Sequence, residues 1–234
     1  KINIKTNTII KKIEKCNSGV KVYISKDNIV EVDQVLIAIG VEGNIVNIGL
    51  SESNIDTNKG FIEVNSFMET SLNNVYAIGD VVGPPWLAHV ASAEGIKAVE
   101  HLSGMECEPM VYNNIPSCTY CQPEIASVGL TEQKALEHGY DVKIGKFPFK
   151  ALGKAVSTGD MEGFIKVIYD KKYGEMLGCH IIGSEATNII SEAIIARKLE
   201  TTYHEVLNTI HPHPTLSEAI MEATADALGE AIHI

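Results

Sequence analysis

The chain has 234 residues, 45% of them hydrophobic and 21% charged, a globular composition sufficient for one large core or two modest ones. Nineteen Lys and Arg stand against 30 Asp and Glu, a formal net charge of −11 that disfavours a nucleic-acid partner. No apolar run approaches the roughly 18 residues that a membrane-spanning helix needs.

The chain begins at Lys1 without an initiator Met and inside a strand-like alternation, which reads as a fragment or processed product; no signal-peptide pattern is visible. Val20, Val22 and Ile24 alternate with Lys21, Tyr23 and Ser25, a period of two that predicts a half-buried strand after the turn Asn17-Ser18-Gly19. Asp27-Asn28 predicts a hairpin turn into a second strand. The continuous apolar run Val35 to Ile39, ending at Gly40, predicts a strand buried on both faces. After a loop rich in Asn, Ser and Gly come a short strand, Phe61 to Val64, and another buried strand, Val75 to Ile78, stopping at Gly79-Asp80. Gly83-Pro84-Pro85 breaks the chain, and Leu87 to Leu102 predicts a helix of small and apolar residues.

The character changes between Pro109 and Pro116, the expected domain boundary. Beyond it the pattern predicts strands at 124–130, 142–149, 164–169 and 176–182, a short helix at 131–138 stopped by Gly139, and a turn at Lys172-Tyr173-Gly174. Helices follow at 185–199, 203–209 and 216–228, the last two introduced by the capping boxes Thr202 to Glu205 and Thr215 to Glu218. Strands and then helices in blocks indicate an α+β unit after an α/β first half. Ile189, Ile190, Ala193, Ile194 and Leu199 give the 185–199 helix a broad apolar face for the sheet or for a second subunit.

Four clusters could carry chemistry. Asp80 follows a strand at its carboxyl edge, where open α/β sheets bind ligands; it could accept hydrogen bonds from a polyol or simply cap the turn. Trp86-Leu87-Ala88-His89 opens a helix whose free N–H groups suit an anion, or is an ordinary helix start. In His211-Pro212-His213-Pro214-Thr215-Leu216-Ser217-Glu218, an imidazole beside a carboxylate suits proton transfer near neutral pH. The plainer reading is loop histidines with a helix cap. A metal site is not expected, since no second Cys/His cluster lies nearby in sequence. Cys118-Thr119-Tyr120-Cys121 has redox spacing but precedes a strand, so its two thiols should face opposite ways and it reads as coincidence. The five cysteines are odd in number and scattered, unlike a secreted disulfide framework, and a reducing, cytosol-like compartment is expected.

Taken in order, Asp33 to Gly40, Asn74 to Asp80, Trp86 to Gly95, Pro116 to Gly129 (with Tyr120-Cys121-Gln122-Pro123-Glu124) and His211 to Glu218 resemble the carboxyl-terminal half of the flavin-dependent pyridine nucleotide–disulfide oxidoreductases. The Leu87-Ala88-His89 and doubled His-Pro segments look more like the dihydrolipoamide-oxidising members than glutathione or mercuric reductases. The resemblance implies the carboxyl-terminal part of a flavoprotein with two dinucleotide-binding domains: residues 1–43 closing the NAD domain, 44–110 contacting FAD, and 111–234 an α+β dimerisation domain with an antiparallel sheet flanked by helices. It implies FAD bound through Asp80 and the backbone from Trp86 through Leu87 and Ala88 to His89, and NAD lying against Gly40. His213 would take a proton from a dihydrolipoamide thiol, oriented by Glu218, across a homodimer interface. The implied partner is the lipoyl-bearing component of a 2-oxoacid dehydrogenase complex or glycine cleavage system, in the cytoplasm or, for a eukaryotic source, the mitochondrial matrix. Two other functions stay open: another disulfide reductase, glutathione reductase-like, and a non-catalytic dimerisation module. The sequence departs from the family at Val41-Glu42-Gly43-Asn44, where basic residues and a proline are common, and at Trp86, where a smaller apolar residue is common. It carries neither the family's Gly-rich turns nor its redox cysteine pair, so these residues alone are not expected to turn over.

Overall fold

The computed structural model describes residues 2–25 and 27–233; Lys1, the first residue of the predicted opening alternation, lies outside them. Residues 2–6 form no strand. The first sheet is an antiparallel meander of β1 (Lys12–Cys16), β2 (Gly19–Tyr23) and β3 (Ile29–Val32), so the predicted alternation at Val20 to Ile24 and its hairpin partner are present. β1 was not legible, because its KIEKC sequence carries too many charges for a strand signal. It is held by ladder bonds to β2 and by Tyr23 Oη donating to Glu14 (2.6 Å).

Two predicted buried strands are not formed. Val35 to Ile39 is irregular and open, with Leu36 91% and Ile39 93% exposed. A continuous apolar run becomes a two-sided strand only when neighbours pair with it and cover both faces, and among the described residues no strand does so. Val75 to Ile78 likewise has only an isolated bridge from Tyr76 to Glu69, although Ala77 is buried. The predicted strand at 61–64 shortens to β5 (Phe61–Ile62), paired with β4 (Thr57–Asn58). A 3₁₀ turn, Gly79–Val82, then leads to α1 (Ala88–Leu102), close to the predicted helix.

The second half forms the strands and helices predicted for it, with a short strand, Ser117–Thr119, and a short α-helix, Gly153–Thr158, added. β6 (Ser117–Thr119), β7 (Glu124–Gly129), β8 (Val142–Pro148), β9 (Gly163–Asp170) and β10 (Met176–Gly183) make an antiparallel sheet in the order β6-β7-β10-β9-β8. α2 (Glu132–Glu137) starts at Thr131, whose hydroxyl accepts from the Lys134 N–H. α3 (Gly153–Thr158) was missed: its Gly start and its Ser and Thr residues give weak helix propensity. α4 (Ala186–Lys198), α5 (Tyr203–Asn208) and α6 (Glu218–Leu228) complete the unit.

The core lies between one sheet face and helices α4 and α6. Ile165, Val167 and Tyr169 alternate along β9 into this face, meeting Phe147, Cys179, Ile189, Ile190, Ala193 and Ile220. The opposite face buries the smaller cluster Ala135, Ile168 and Leu177 under α2, so β9 and β10 are covered on both sides. α6 presses directly on β8: a Cβ at Gly145 would sit 1.7 Å from the Ala223 carbonyl oxygen. Only glycine permits that approach.

Candidate active site

The decisive geometry is at the start of α6. Pro212 and Pro214 flank His213, and the His213–Pro214 peptide bond is cis. The His213 side chain is 73% exposed, and its Nδ1 lies 2.8 Å from Glu218 Oε1. A carboxylate only accepts, so Nδ1 carries the hydrogen and Nε2 of the neutral ring is left as a free acceptor. Glu218 is itself fixed: its Oε2 accepts the Thr215 N–H at 2.7 Å, and its N–H donates to Thr215 Oγ1 at 3.4 Å. These are the reciprocal bonds of the predicted capping box, although α6 begins at Glu218 and not at Leu216. The cap and the histidine partner are therefore the same carboxylate. Burial acts most strongly on Glu218 and pushes its carboxyl up. The Thr215 N–H, the hydrogen bond and charge of His213 and the charge of His233 together outweigh burial, and the carboxyl lies below its ordinary value. Gly153 at the start of α3 faces the ring: a Cβ there would be 3.6 Å from His213 Cε1.

His211, two residues earlier, does different work. Its side chain is 5% exposed, with Nε2 2.7 Å from Glu192 Oε1 of α4 and Nδ1 3.0 Å from the Thr209 carbonyl. It ties the loop to α4. Beside it runs a groove of about 440 Å³ lined by Ile195, Leu199, Val206, Ile210 and Pro212, and Ile210 is almost wholly exposed. Ile189, Ile190 and Ala193 of α4 meet the sheet, whereas Ile195 and Leu199 stay open. Among the described residues no group of three His, Cys, Asp or Glu side chains could hold a metal ion.

The second predicted cluster is organised around a residue that the sequence reading missed. Glu94 of α1 is 2% exposed; its Oε2 accepts the Gly79 N–H (2.7 Å) and its Oε1 the Tyr112 hydroxyl (2.7 Å). Burial foremost, then the Glu94 bond and charge, push the Tyr112 hydroxyl up, so it stays protonated. Glu94 thus fixes the turn carrying Asp80. The spacing of Val90, Glu94 and Ala98 places this carboxylate on the buried stripe of α1, a signal available in the sequence. Asp80 is exposed, and among the described residues its carboxylate makes no hydrogen bond. Leu87 caps α1 without a side-chain bond, and the first turn holds no acidic residue. The imidazole of His89 reaches the Pro116 carbonyl (3.3 Å), joining α1 to the approach to β6. Trp86 turns toward Phe61, with ring centroids 5.9 Å apart, and lines a concavity of about 800 Å³. Gly40 lies apart in the open segment, and nothing packs where its Cβ would be. In the C-x-x-C segment, Cys118 is half-buried in edge strand β6 with its thiol pushed up by burial first and by Glu124 second. Cys121 is exposed, 3.0 Å from the Pro123 carbonyl.

Two segments match models of one family: residues 1–95 match "pyridine nucleotide-disulphide oxidoreductase", and residues 115–224 match its "dimerisation domain". The chain belongs to the pyridine nucleotide–disulphide oxidoreductase family. Its similar relatives include a dihydrolipoyl dehydrogenase of Bacillus subtilis, 51% identical over 201 residues, covering 86% of this chain and 42% of that protein. Another, from Rhizobium etli, is 42% identical over 237 residues, covering 99% and 49%. Among solved structures, LpdA of Mycobacterium tuberculosis superposes with a TM-score of 0.84 at 25% identity, over 93% of this chain and 48% of that one. The HOCl-induced flavoprotein disulfide reductase RclA of Escherichia coli shares the fold, with a TM-score of 0.85 at 24% identity over 94% and 51%. The chain spans about half the length of the curated relatives it matches. The family uses FAD and a pyridine nucleotide. The residues present fit the flavin: Asp80 offers an unpartnered acceptor for hydroxyl groups, and the uncapped start of α1 offers a positive helix end. Toward a pyridine nucleotide the predicted contact, Gly40, offers backbone alone.

Proposed function

We propose that this chain is the carboxyl-terminal portion of a dihydrolipoyl dehydrogenase, whose whole protein oxidises protein-bound dihydrolipoamide through a redox disulfide and reduces NAD. The observation that carries this reading is the exposed His213 ring, held through Nδ1 by Glu218 with Nε2 free. Nε2 takes the proton of a dithiol substrate, leaving the thiolate, which is the nucleophilic form. Glu218, ionised and anchored by the Thr215 N–H, stabilises the imidazolium that results and prevents the ring from turning. The tie from His211 to Glu192 keeps the loop in place during this exchange. FAD, when bound, supplies the electron transfer between disulfide and pyridine nucleotide. Asp80 would hold its polyol chain, and the backbone from Trp86 to His89 would lie near its ring.

The chain divides functionally into residues 1–43, 44–110 and 111–234: the end of an NAD domain, an FAD-contacting segment and an interface domain. The match to the dimerisation domain and the open apolar patch of Ile195, Leu199 and Ile210 support a homodimer. In that dimer His213 serves the partner's flavin and disulfide. The lipoyl-bearing component of a 2-oxoacid dehydrogenase complex or glycine cleavage system is the partner in turnover. Five free cysteines fit a reducing, cytosol-like compartment. The test is His213→Gln in the full-length protein: lipoamide-dependent NAD reduction should fall by about 10²–10⁴-fold. Unchanged turnover would refute the assignment, and faster turnover of glutathione disulfide than of lipoamide would move the protein to another branch of the family.

A further inference from the structure

The two rings of the His-Pro-His segment are held in opposite ways. His213 has one nitrogen tied and one free, whereas both nitrogens of the buried His211 ring face groups that accept. Nδ1 of His211 lies 3.0 Å from the Thr209 carbonyl oxygen, and its Nε2 lies 2.7 Å from Glu192 Oε1. A neutral imidazole carries one hydrogen and satisfies only one such neighbour. The further hydrogen needed between ring and carboxyl belongs on the more basic group, and an imidazole is about a hundredfold more basic than a carboxyl. The Glu192 side chain is 38% exposed, so water supports its charged form.

We propose that His211 is an imidazolium locked at both nitrogens, and a positioning residue that sets the loop on which His213 and Glu218 meet. This deepens the reading of His213 and Glu218 given above and rests on it.

The lock reaches that pair through a continuous line of contacts. Thr209 closes α5, its N–H and its hydroxyl both donating to the Glu205 carbonyl (3.1 and 2.8 Å). Pro212 follows His211, and its carbonyl accepts the Thr215 hydroxyl at 2.8 Å. The Thr215 N–H donates to Glu218 Oε2, and Glu218 Oε1 holds His213. α4 and the end of α5 thus fix one side of the loop, and the cap of α6 fixes the other. Loss of either hydrogen from His211 breaks one tie on the first side.

The charges around the ring fit a cation. Glu192 and Glu205 are the acidic residues lining the groove beside it, and Glu205 is committed to the cap at Thr202. Elsewhere on α4, Glu185 accepts from Asn188, Arg197 reaches the Asn113 carbonyl and Lys198 pairs with Glu108. On α5, His204 lies against the Tyr203 ring. In the sheet under α4, burial pushes the Cys179 thiol and the Tyr169 hydroxyl up, so both stay neutral. Ile195, Leu199, Val206 and Pro212 complete an apolar surround that strengthens the pairing with Glu192.

The test reads the hydrogens of His211 by nitrogen-15 NMR of the full 234-residue chain at about pH 6, below the ordinary imidazole value of about 6.5. Both ring nitrogens should carry a hydrogen protected from exchange with water. In Glu192→Gln, whose amide can donate to a bare Nε2, the ring should keep its Nδ1 hydrogen alone; a His211 that merely filled space would look the same in both chains. In His211→Leu, exchange of the Thr215 N–H should quicken about tenfold or more, and coupling of the His213 Nδ1 hydrogen to Glu218 should weaken, while the amides of β9 and β10 stay protected. If His211→Leu loses that protection, Glu192→Gln decides, with Thr215 exchange quickening in the same direction. A His211 ring with one hydrogen in the parent chain, or unchanged Thr215 exchange in the folded variant, would overturn the proposal. None of these readouts uses turnover: a one-hydrogen His211 ring rejects the lock alone, and unchanged turnover in His213→Gln rejects the catalytic reading alone.

Discussion

Residues 2–50 and residues 115–233 obey the same packing rules with opposite results. Among the described residues of the first stretch only Val22 is buried, and Leu36, Ile37 and Ile39 face outward. In the second, five antiparallel strands and two long helices enclose Phe147, Ile165, Val167, Tyr169 and Ile190 almost completely. Both stretches are rich in β-branched residues, so hydrophobicity does not separate them. The separation lies in whether the pairing partners of a strand are close by in the chain. β9 and β10 are joined by a short turn and cover each other, whereas Val35 to Ile39 has no partner among the described residues.

That contrast can be broken by mutation. Phe147→Ala should cost about 3–5 kcal/mol in denaturant unfolding, whereas Leu36→Ala should change stability by no more than about 0.5 kcal/mol; equal effects would erase the distinction. Glu94→Ala sits between the two regions. It strands the Gly79 N–H and the Tyr112 hydroxyl, for an expected loss of about 1–3 kcal/mol, together with faster hydrogen exchange at Gly79; protection unchanged at that amide would show that Glu94 does not hold the turn. Thr202→Ala removes half of the α5 capping box and should cost about 1 kcal/mol. The smallest effect concerns acid. The Glu218 carboxyl is lower in the folded chain than in the unfolded one. Its stabilising contribution is therefore complete above the unfolded carboxylate range, about pH 4.3, and is lost as pH falls through the lower folded value. Glu218→Gln should flatten the acid side of the stability curve measured by urea titration between about pH 6 and pH 3; an unaltered slope would contradict the linkage.

The sequence was legible where local signals agreed. The apolar stretch Phe164 to Tyr169, the turn before Gly174 and the Thr202 cap all predicted what formed, because each depends on residues within one turn or hairpin. His213 and Glu218 were also readable as neighbours, being five residues apart with Pro214 between them. The partnerships of His211 with Glu192, of His233 with Glu222 and of Gly79 with Glu94 span 19, 11 and 15 residues, and no local pattern announces them. Short or charged elements such as β1, β6 and α3 were missed because the fold, and not their own propensity, holds them in place.

The proposed proton transfer turns on the hydrogen of one ring. Nitrogen-15 NMR of the His213 imidazole in its neutral form should show the ring protonated at Nδ1 with a bare, acceptor-type Nε2. Coupling of its Nδ1 proton to Glu218 should disappear in Glu218→Ala. A ring carrying its hydrogen on Nε2, indifferent to that substitution, would contradict the claim that Glu218 prepares His213 to accept a thiol proton.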